Sequence, residues 1–180
     1  MIPIIAVIGT SGTGKTTLIE YLISHLSREG LKIGTIKHVH YPDFSINAKG
    51  KDTWRHSQAG AKIVVCAAPK EIAIFKKKEV SYEKLEEIID LVKSEKLDLL
   101  ILEGFHSLIA KREDIFKIVA AKNETDMKRT LNGTVDPVLA ITGPFAREKV
   151  VPLGITIPIL DLDSKGEEIL RLVKGIFHKK

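Results

Sequence analysis

Gly9-Thr10-Ser11-Gly12-Thr13-Gly14-Lys15-Thr16 decides how this chain folds. The stretch has the form G-x-x-x-x-G-K-[ST], the pattern of a phosphate-binding loop. Glycines at 9, 12 and 14 allow backbone conformations closed to residues with a Cβ. Successive N–H groups can therefore converge on one anion. The apolar run Ile4-Ile5-Ala6-Val7-Ile8 enters the loop as a strand. Beyond it, Leu18, Ile19, Leu22, Ile23 and Leu26 recur at three- and four-residue spacing and predict a helix from Lys15 to Glu29, stopped by Gly30. The N-terminus of that helix adds partial positive charge and unpaired N–H groups. The expected nucleotide-binding residues are thus Gly9, Thr10, Ser11, Gly12, Thr13, Gly14, Lys15, Thr16 and Thr17. Lys15 would bridge the terminal phosphates, and the Thr16 hydroxyl would hold magnesium.

Leu31 to Lys37 reads as a second strand, which makes a βαβ unit with parallel strands and a right-handed crossover. Farther on, Leu97-Asp98-Leu99-Leu100-Ile101-Leu102-Glu103 is an apolar run that ends in an acid. Its length and composition suit a central strand covered on both faces. Glu103 would then stand beside the phosphate loop and bind magnesium, directly or through water, as a catalytic partner of Lys15. Ile115 to Ala121, Val138 to Thr142 and Ile157 to Leu160 are further strand patterns. Asn123 to Asp136 is polar and reads as loop or a short helix. Ser81 would cap a charged helix whose buried stripe is Leu85, Ile88, Ile89 and Val92. Asp163 or Ser164 would start the final helix, with Ile169, Leu170, Leu172, Val173 and Ile176 inward. The expected fold is α/β, a P-loop NTPase with a mostly parallel twisted sheet between helices, in one domain over residues 1–180.

Two stretches do not belong to that pattern. One is polar: Lys37-His38-Val39-His40-Tyr41-Pro42-Asp43-Phe44, followed by Lys49-Gly50-Lys51-Asp52-Thr53-Trp54-Arg55-His56. It leaves the carboxyl end of the second strand, the edge where open α/β sheets bind ligands. Lys37, His38 and Asp52 could handle phosphate and magnesium there. A zinc site and a plain solvated loop are the alternatives, and Asp43 competes with Asp52 as a water-orienting carboxylate. The other stretch, Ala61 to Ala67 with Lys70 to Lys76, is a pair of β-prone runs split by Ala68-Pro69. It reads as an inserted ribbon whose lysines guard an exposed edge, or as an element that pairs with another subunit.

Composition narrows the ligand. The 180 residues are 44% hydrophobic and 28% charged, with a formal net charge of +5, which suits a packed core and polyanionic ligands. Aromatics are only 6% and no interleaved basic–aromatic module appears, so a nucleotide is favoured over nucleic acid. Cys66 is the only cysteine, so no internal disulfide can form, as expected of a reducing compartment such as the cytoplasm. No apolar run reaches the length of a membrane span.

The ordered set Ser11-Gly12-Thr13-Gly14-Lys15-Thr16-Thr17-Leu18, Ile36-Lys37-His38, Gly50-Lys51-Asp52, Ala59-Gly60-Ala61, Glu103-Gly104-Phe105 and Leu160-Asp161 resembles the molybdopterin-guanine dinucleotide biosynthesis protein B family. The resemblance spans nearly the whole chain. It implies a GTP-binding adapter with weak magnesium-dependent GTPase activity, assisting the guanylyltransferase that joins a guanine nucleotide to molybdopterin in molybdenum cofactor synthesis. It also implies a homodimer paired through β-segments, for which the ribbon at about residues 61–79 is the expected element. The guanine-reading pattern Asn-Lys-x-Asp is absent; Ala121-Lys122-Asn123-Glu124 only echoes it, and Ile141-Thr142-Gly143-Pro144 stands where a small residue and an aspartate are expected. A small-molecule kinase and a nickel-insertion GTPase are the rival readings.

Overall fold

The computed structural model describes residues 2–41, 43–77, 85–148 and 151–178. The chain divides into two compact units, Met1–His38 with Leu85–Lys180, and Val39–Lys84.

The larger unit is built on β1 (Ile4–Ile8), the phosphate-type loop and α1 (Lys15–Arg28), followed by β2 (Ile33–Lys37). The smaller unit inserts after β2. It holds α2 (Asp52–Gln58) and the strands β3 (Ile63–Ala68) and β4 (Glu71–Lys76). The larger unit then resumes with α3 (Leu85–Ile89), β5 (Leu99–Glu103), α4 (His106–Ile109), β6 (Phe116–Ala120), α5 (Glu124–Leu131), β7 (Val138–Thr142) and α6 (Leu162–Lys174). Its five strands lie in the order β2-β5-β1-β6-β7, and every neighbouring pair is parallel. All five carboxyl ends therefore meet on one edge.

Both faces of the sheet are covered, which explains the continuous apolar runs in β1 and β5. The period of two sends Ile5, Val7, Leu99 and Ile101 toward α1 and α6, where they meet Leu18, Leu22, Ile169 and Val173. Ala6, Ile8, Leu100 and Leu102 point the other way, to Leu85, Ile109, Met127 and Phe145.

Several elements differ from the sequence reading. Ile157 to Leu160 does not form a full strand; it reduces to a single parallel bridge between Ile159 and Ile141. Pro158 supplies no N–H for a ladder, while its carbonyl accepts from Ile141 N at 2.8 Å. The last helix is capped by Asp161, not Asp163 or Ser164, because the Asp161 carboxylate accepts from Ser164 N at 3.2 Å. The charged helix is shorter than its stripe suggests: α3 gives way to a 3₁₀ turn over Asp90–Glu95. The expected Ser81 cap lies outside the described residues. The polar stretch from Asn123 contains the regular helix α5, with Asn123 as a cap accepting from Asp126 N at 2.9 Å. Part of the stretch around Asp52, open to reading as a loop, is the short helix α2.

In the smaller unit β3 and β4 form the antiparallel ribbon, with Val65 opposite Ile74 and Ala67 opposite Ile72. Lys78 and Glu79, at the end of the expected ribbon, lie outside the described residues.

Candidate functional site

The loop after β1 is fixed by contacts that only glycine permits. Gly9 has φ +147, and a Cβ on it would lie 2.0 Å from the Ala120 carbonyl oxygen at the end of β6. Gly143 follows β7 with φ +92, and a Cβ there would lie 2.6 Å from Thr13 O and 2.7 Å from Ala121 O. The loop is thus pressed directly on the backbone at the ends of the two adjacent strands. Buried Thr13 turns its hydroxyl back to donate to Thr10 O at 3.0 Å, and Lys15 Nζ donates to the same oxygen at 2.5 Å. Gly14 occupies the N-cap of α1 in the left-handed region, so the helix starts at Lys15 and Thr16 falls in its first turn.

Register brings the second half of the site to the first. Glu103 pairs with Val7 on one side and with Lys37 on the other, since β5 lies between β1 and β2. Its Oε1 accepts from Thr16 Oγ1 at 3.1 Å and stands 3.0 Å from Lys37 Nζ. The Glu103 side chain is only 13% exposed, and its ion-pair partner is Lys37. Burial lowers the pKa of Lys15 below the ordinary lysine value, and the nearby Glu103 charge opposes that shift. His38 donates its backbone N–H to Glu103 O at 3.0 Å, and its ring stacks on Phe105 with centroids 4.8 Å apart. Lys15, Thr16, Lys37, His38 and Glu103 therefore share one edge of the sheet. Asp52 belongs to the smaller unit, at the start of α2, where it pairs with Arg55 at 3.6 Å and is largely exposed. Asp43, the other candidate carboxylate, lies in that unit too.

The donor set suits magnesium. Thr16 offers a hydroxyl and Glu103 a carboxylate, both hard oxygen ligands, and neither sulfur nor a gathered imidazole set competes. Among the described residues no three His, Cys, Asp or Glu side chains cluster in a way that could hold a metal by themselves. A divalent ion here would need phosphate oxygens and water to complete its shell.

Asp126 was not singled out from the sequence. Its largely buried carboxylate accepts from the Thr10 hydroxyl at 3.0 and 3.1 Å, from Lys122 N at 3.1 Å and from Arg129 at 3.1 Å. It ties the phosphate-type loop to the segment after β6. The only local signal was Asn123-x-x-Asp126, a pattern of helix starts, which says nothing about a partner 116 positions away.

A strand, a G-x-x-x-x-G-K-T loop and a helix at the centre of a parallel sheet, with an acid ending the neighbouring strand, define a P-loop NTPase fold. The model of one family, molybdopterin guanine dinucleotide synthesis protein B, matches residues 4–142. A molybdopterin-guanine dinucleotide biosynthesis adapter protein of Haemophilus influenzae is 34% identical over 164 residues, 90% of this chain and 83% of that one. The adapter protein of the same name from Escherichia coli is 32% identical over 164 residues, 91% of this chain and 87% of that one. The crystal structure of Bacillus subtilis MobB superposes with a TM-score of 0.76, covering 97% of both chains at 24% identity. The chain belongs to the molybdopterin guanine dinucleotide synthesis protein B family. Among the described residues no helix is long and apolar enough to cross a membrane.

Proposed function

We propose that this chain is a cytoplasmic adapter in molybdopterin guanine dinucleotide synthesis that binds GTP with magnesium and hydrolyses it slowly. One observation carries the nucleotide part: the Thr16 hydroxyl and the Glu103 carboxylate, 87 residues apart, meet at 3.1 Å beside Lys15 at the mouth of a glycine loop. That convergence has no role in core packing. It matches what a polyphosphate and its divalent ion require.

In this reading the N–H groups of Gly12 to Thr17 hold the phosphate oxygens, and α1 adds its N-terminal field. Lys15 exchanges Thr10 O for a phosphate oxygen and offsets the charge that builds as the terminal phosphoryl leaves. Thr16 and Glu103 would hold magnesium, which would supply positive charge against that of the phosphates. Lys37, 3.0 Å from the Glu103 carboxylate, holds it in place. The arginines nearest the loop are committed to aspartates: Arg129 to Asp126, and Arg147 to Asp161 and Asp163. With Arg129 and Arg147 so engaged, turnover by the chain alone should stay below about 1 s⁻¹, since a supplied arginine adds about 10³ to 10⁵ in rate.

The ribbon supports a homodimer. Ile63, Val65, Ile72 and Ile74 stand on one face of β3–β4, each more than half exposed. Such an apolar face suits burial against a second copy. The guanylyltransferase that uses the nucleotide, and the pterin it modifies, are the partners we assign to the adapter role.

Calorimetric titration of the chain with GTP and ATP, with and without magnesium, tests the reading. Micromolar GTP binding should weaken at least about tenfold without magnesium, in Lys15→Ala and in Glu103→Gln. Full affinity in Lys15→Ala would remove the phosphate assignment. Magnesium-independent binding would remove the role of Glu103.

A further inference from the structure

The loop after β1 has little packing to hold its shape. Of residues 10–14 only Thr13 is buried, while Ser11, Gly12 and Gly14 are exposed. Its curvature therefore depends on hydrogen bonds, and these run through Thr10. The Thr10 carbonyl accepts from Thr13 Oγ1 at 3.0 Å and from Lys15 Nζ at 2.5 Å. The Thr10 hydroxyl is committed elsewhere: it donates to the two carboxylate oxygens of Asp126 at 3.1 and 3.0 Å. One residue thus joins Asp126 to the lysine expected to meet the phosphates.

Asp126 is itself firmly placed. It is 8% exposed and stands in the first turn of α5, where the Asn123 cap accepts from its backbone N–H at 2.9 Å. Lys122 N donates to one carboxylate oxygen and Arg129 to the other, each at 3.1 Å. The Lys122 side chain lies along Gly12, since a Cβ there would come 3.6 Å from Lys122 Cε. The segment after β6 therefore braces the loop at residues 10 and 12. An acid near a phosphate site repels the ligand, so charge alone gives no reason for one here. Geometry does. A carboxylate accepts the Thr10 proton and both N–H donors at once, whereas an amide would turn its own NH₂ toward one of those donors.

We propose that Asp126 is a positioning residue for the nucleotide site. By holding the Thr10 hydroxyl it fixes the peptide that anchors Thr13 and Lys15, so the loop keeps its curvature before a phosphate arrives. The entropy of ordering the loop is then lost on folding and does not weaken binding. Asp126 acts through Thr10 and does not touch the nucleotide, and Arg129 offsets its charge. The inference rests on the nucleotide reading above.

The test uses the full chain: calorimetry with GTP and magnesium, and hydrogen exchange of the Ser11 to Gly14 amides without nucleotide. Asp126→Ala should bind GTP at least about tenfold more weakly and Thr10→Val about three- to tenfold, and both should speed loop exchange about tenfold. Thr10→Val added to Asp126→Ala should cost less than about twofold more, because the bond is already gone. Thr10→Ser keeps the hydroxyl and should stay within about twofold of wild type in both measurements. Asp126→Asn should also weaken GTP binding, although it removes a negative charge beside an anion site. Lys117→Met, whose lost bonds are to Arg112, Val135 and Asp136, should melt lower yet bind GTP as wild type does. Should Asp126→Ala fail to fold, Thr10→Val against Thr10→Ser decides.

Three results would overturn the positioning role while Lys15→Ala still loses GTP and the nucleotide reading stands. Asp126→Asn could bind GTP more tightly, which would make the acid only a repulsive charge. Thr10→Val could cost the same factor with and without Asp126, which would uncouple the pair. Lys117→Met could lose as much affinity as Asp126→Ala, which would reduce the effect to general stability. Absence of GTP binding by wild type would instead overturn the nucleotide reading, and this role with it.

Discussion

Gly9 and Gly14 sit five residues apart in the same loop, yet alanine at the two positions should have very different costs. Gly14 has φ +85, and a Cβ there meets nothing within 4 Å. Its substitution carries only the penalty of a left-handed backbone, about 1 kcal/mol. Gly9 has φ +147, and its Cβ would lie 2.0 Å from Ala120 O and 3.0 Å from Ala120 C. Both atoms are backbone of a central strand, so no rotamer change can relieve the clash. β1 and β6 would have to separate by more than about 1 Å where they pair, and overpacking of that kind costs about 1–3 kcal/mol on top of the conformational penalty. The sum for Gly9→Ala is about 2–4 kcal/mol. For a chain of this size 1 kcal/mol corresponds to about 2–4 °C, so melting should fall by about 4–16 °C for Gly9→Ala and about 2–4 °C for Gly14→Ala. Urea unfolding followed by circular dichroism gives the free energies directly. Equal midpoints for the two variants would refute the claim that the loop is pinned against the end of β6.

Lys117 makes a different kind of prediction. It is fully buried in β6, and its ammonium donates to the carbonyls of Arg112, Val135 (2.9 Å) and Asp136 (3.3 Å). Lys117→Met should destabilise by about 2–4 kcal/mol, because it strands buried carbonyls. Burial lowers the folded-state pKa of Lys117 below 10.5, so between the folded and unfolded values the unfolded chain holds more protons and stability rises with pH. The wild-type advantage over Lys117→Met should accordingly grow as pH climbs through that window toward 10.5; a pH-independent difference would contradict it. For the ribbon, Ile72→Lys combined with Ile74→Lys should convert a dimer to a monomer in analytical ultracentrifugation while leaving GTP affinity unchanged. A dimer that survives both lysines would move the interface elsewhere.

Much of the fold was legible because apolar periodicity reports burial directly. The unbroken run Leu99 to Leu102 suggested a strand covered on two faces, and it is one. The spacing of Leu18, Leu22 and Leu26 gave α1 nearly to its ends. Short elements were less legible. α2 has seven residues, of which only Ser57 is buried, so no apolar stripe announced it. Ile157 to Leu160 carried strand composition, but the proline leaves only one bridge of a ladder. Within the site, the glycine loop and its lysine were readable because backbone geometry dictates residue type at each position. Asp126 was not, because carboxylates are common and their meaning lies in what they face.

The sequence alone determined the phosphate-type loop, the parallel α/β sheet and the strand that ends in Glu103, since each rests on local sterics or on periodic burial. Only the tertiary structure decided that Glu103 meets Thr16 at 3.1 Å and that Thr10 is tied to Asp126. Those relations depend on strand order and register, which place β5 against β1 and bring the end of β7 against the loop. No local pattern encodes that order, because the hydrogen bonds that fix it join residues far apart in the chain.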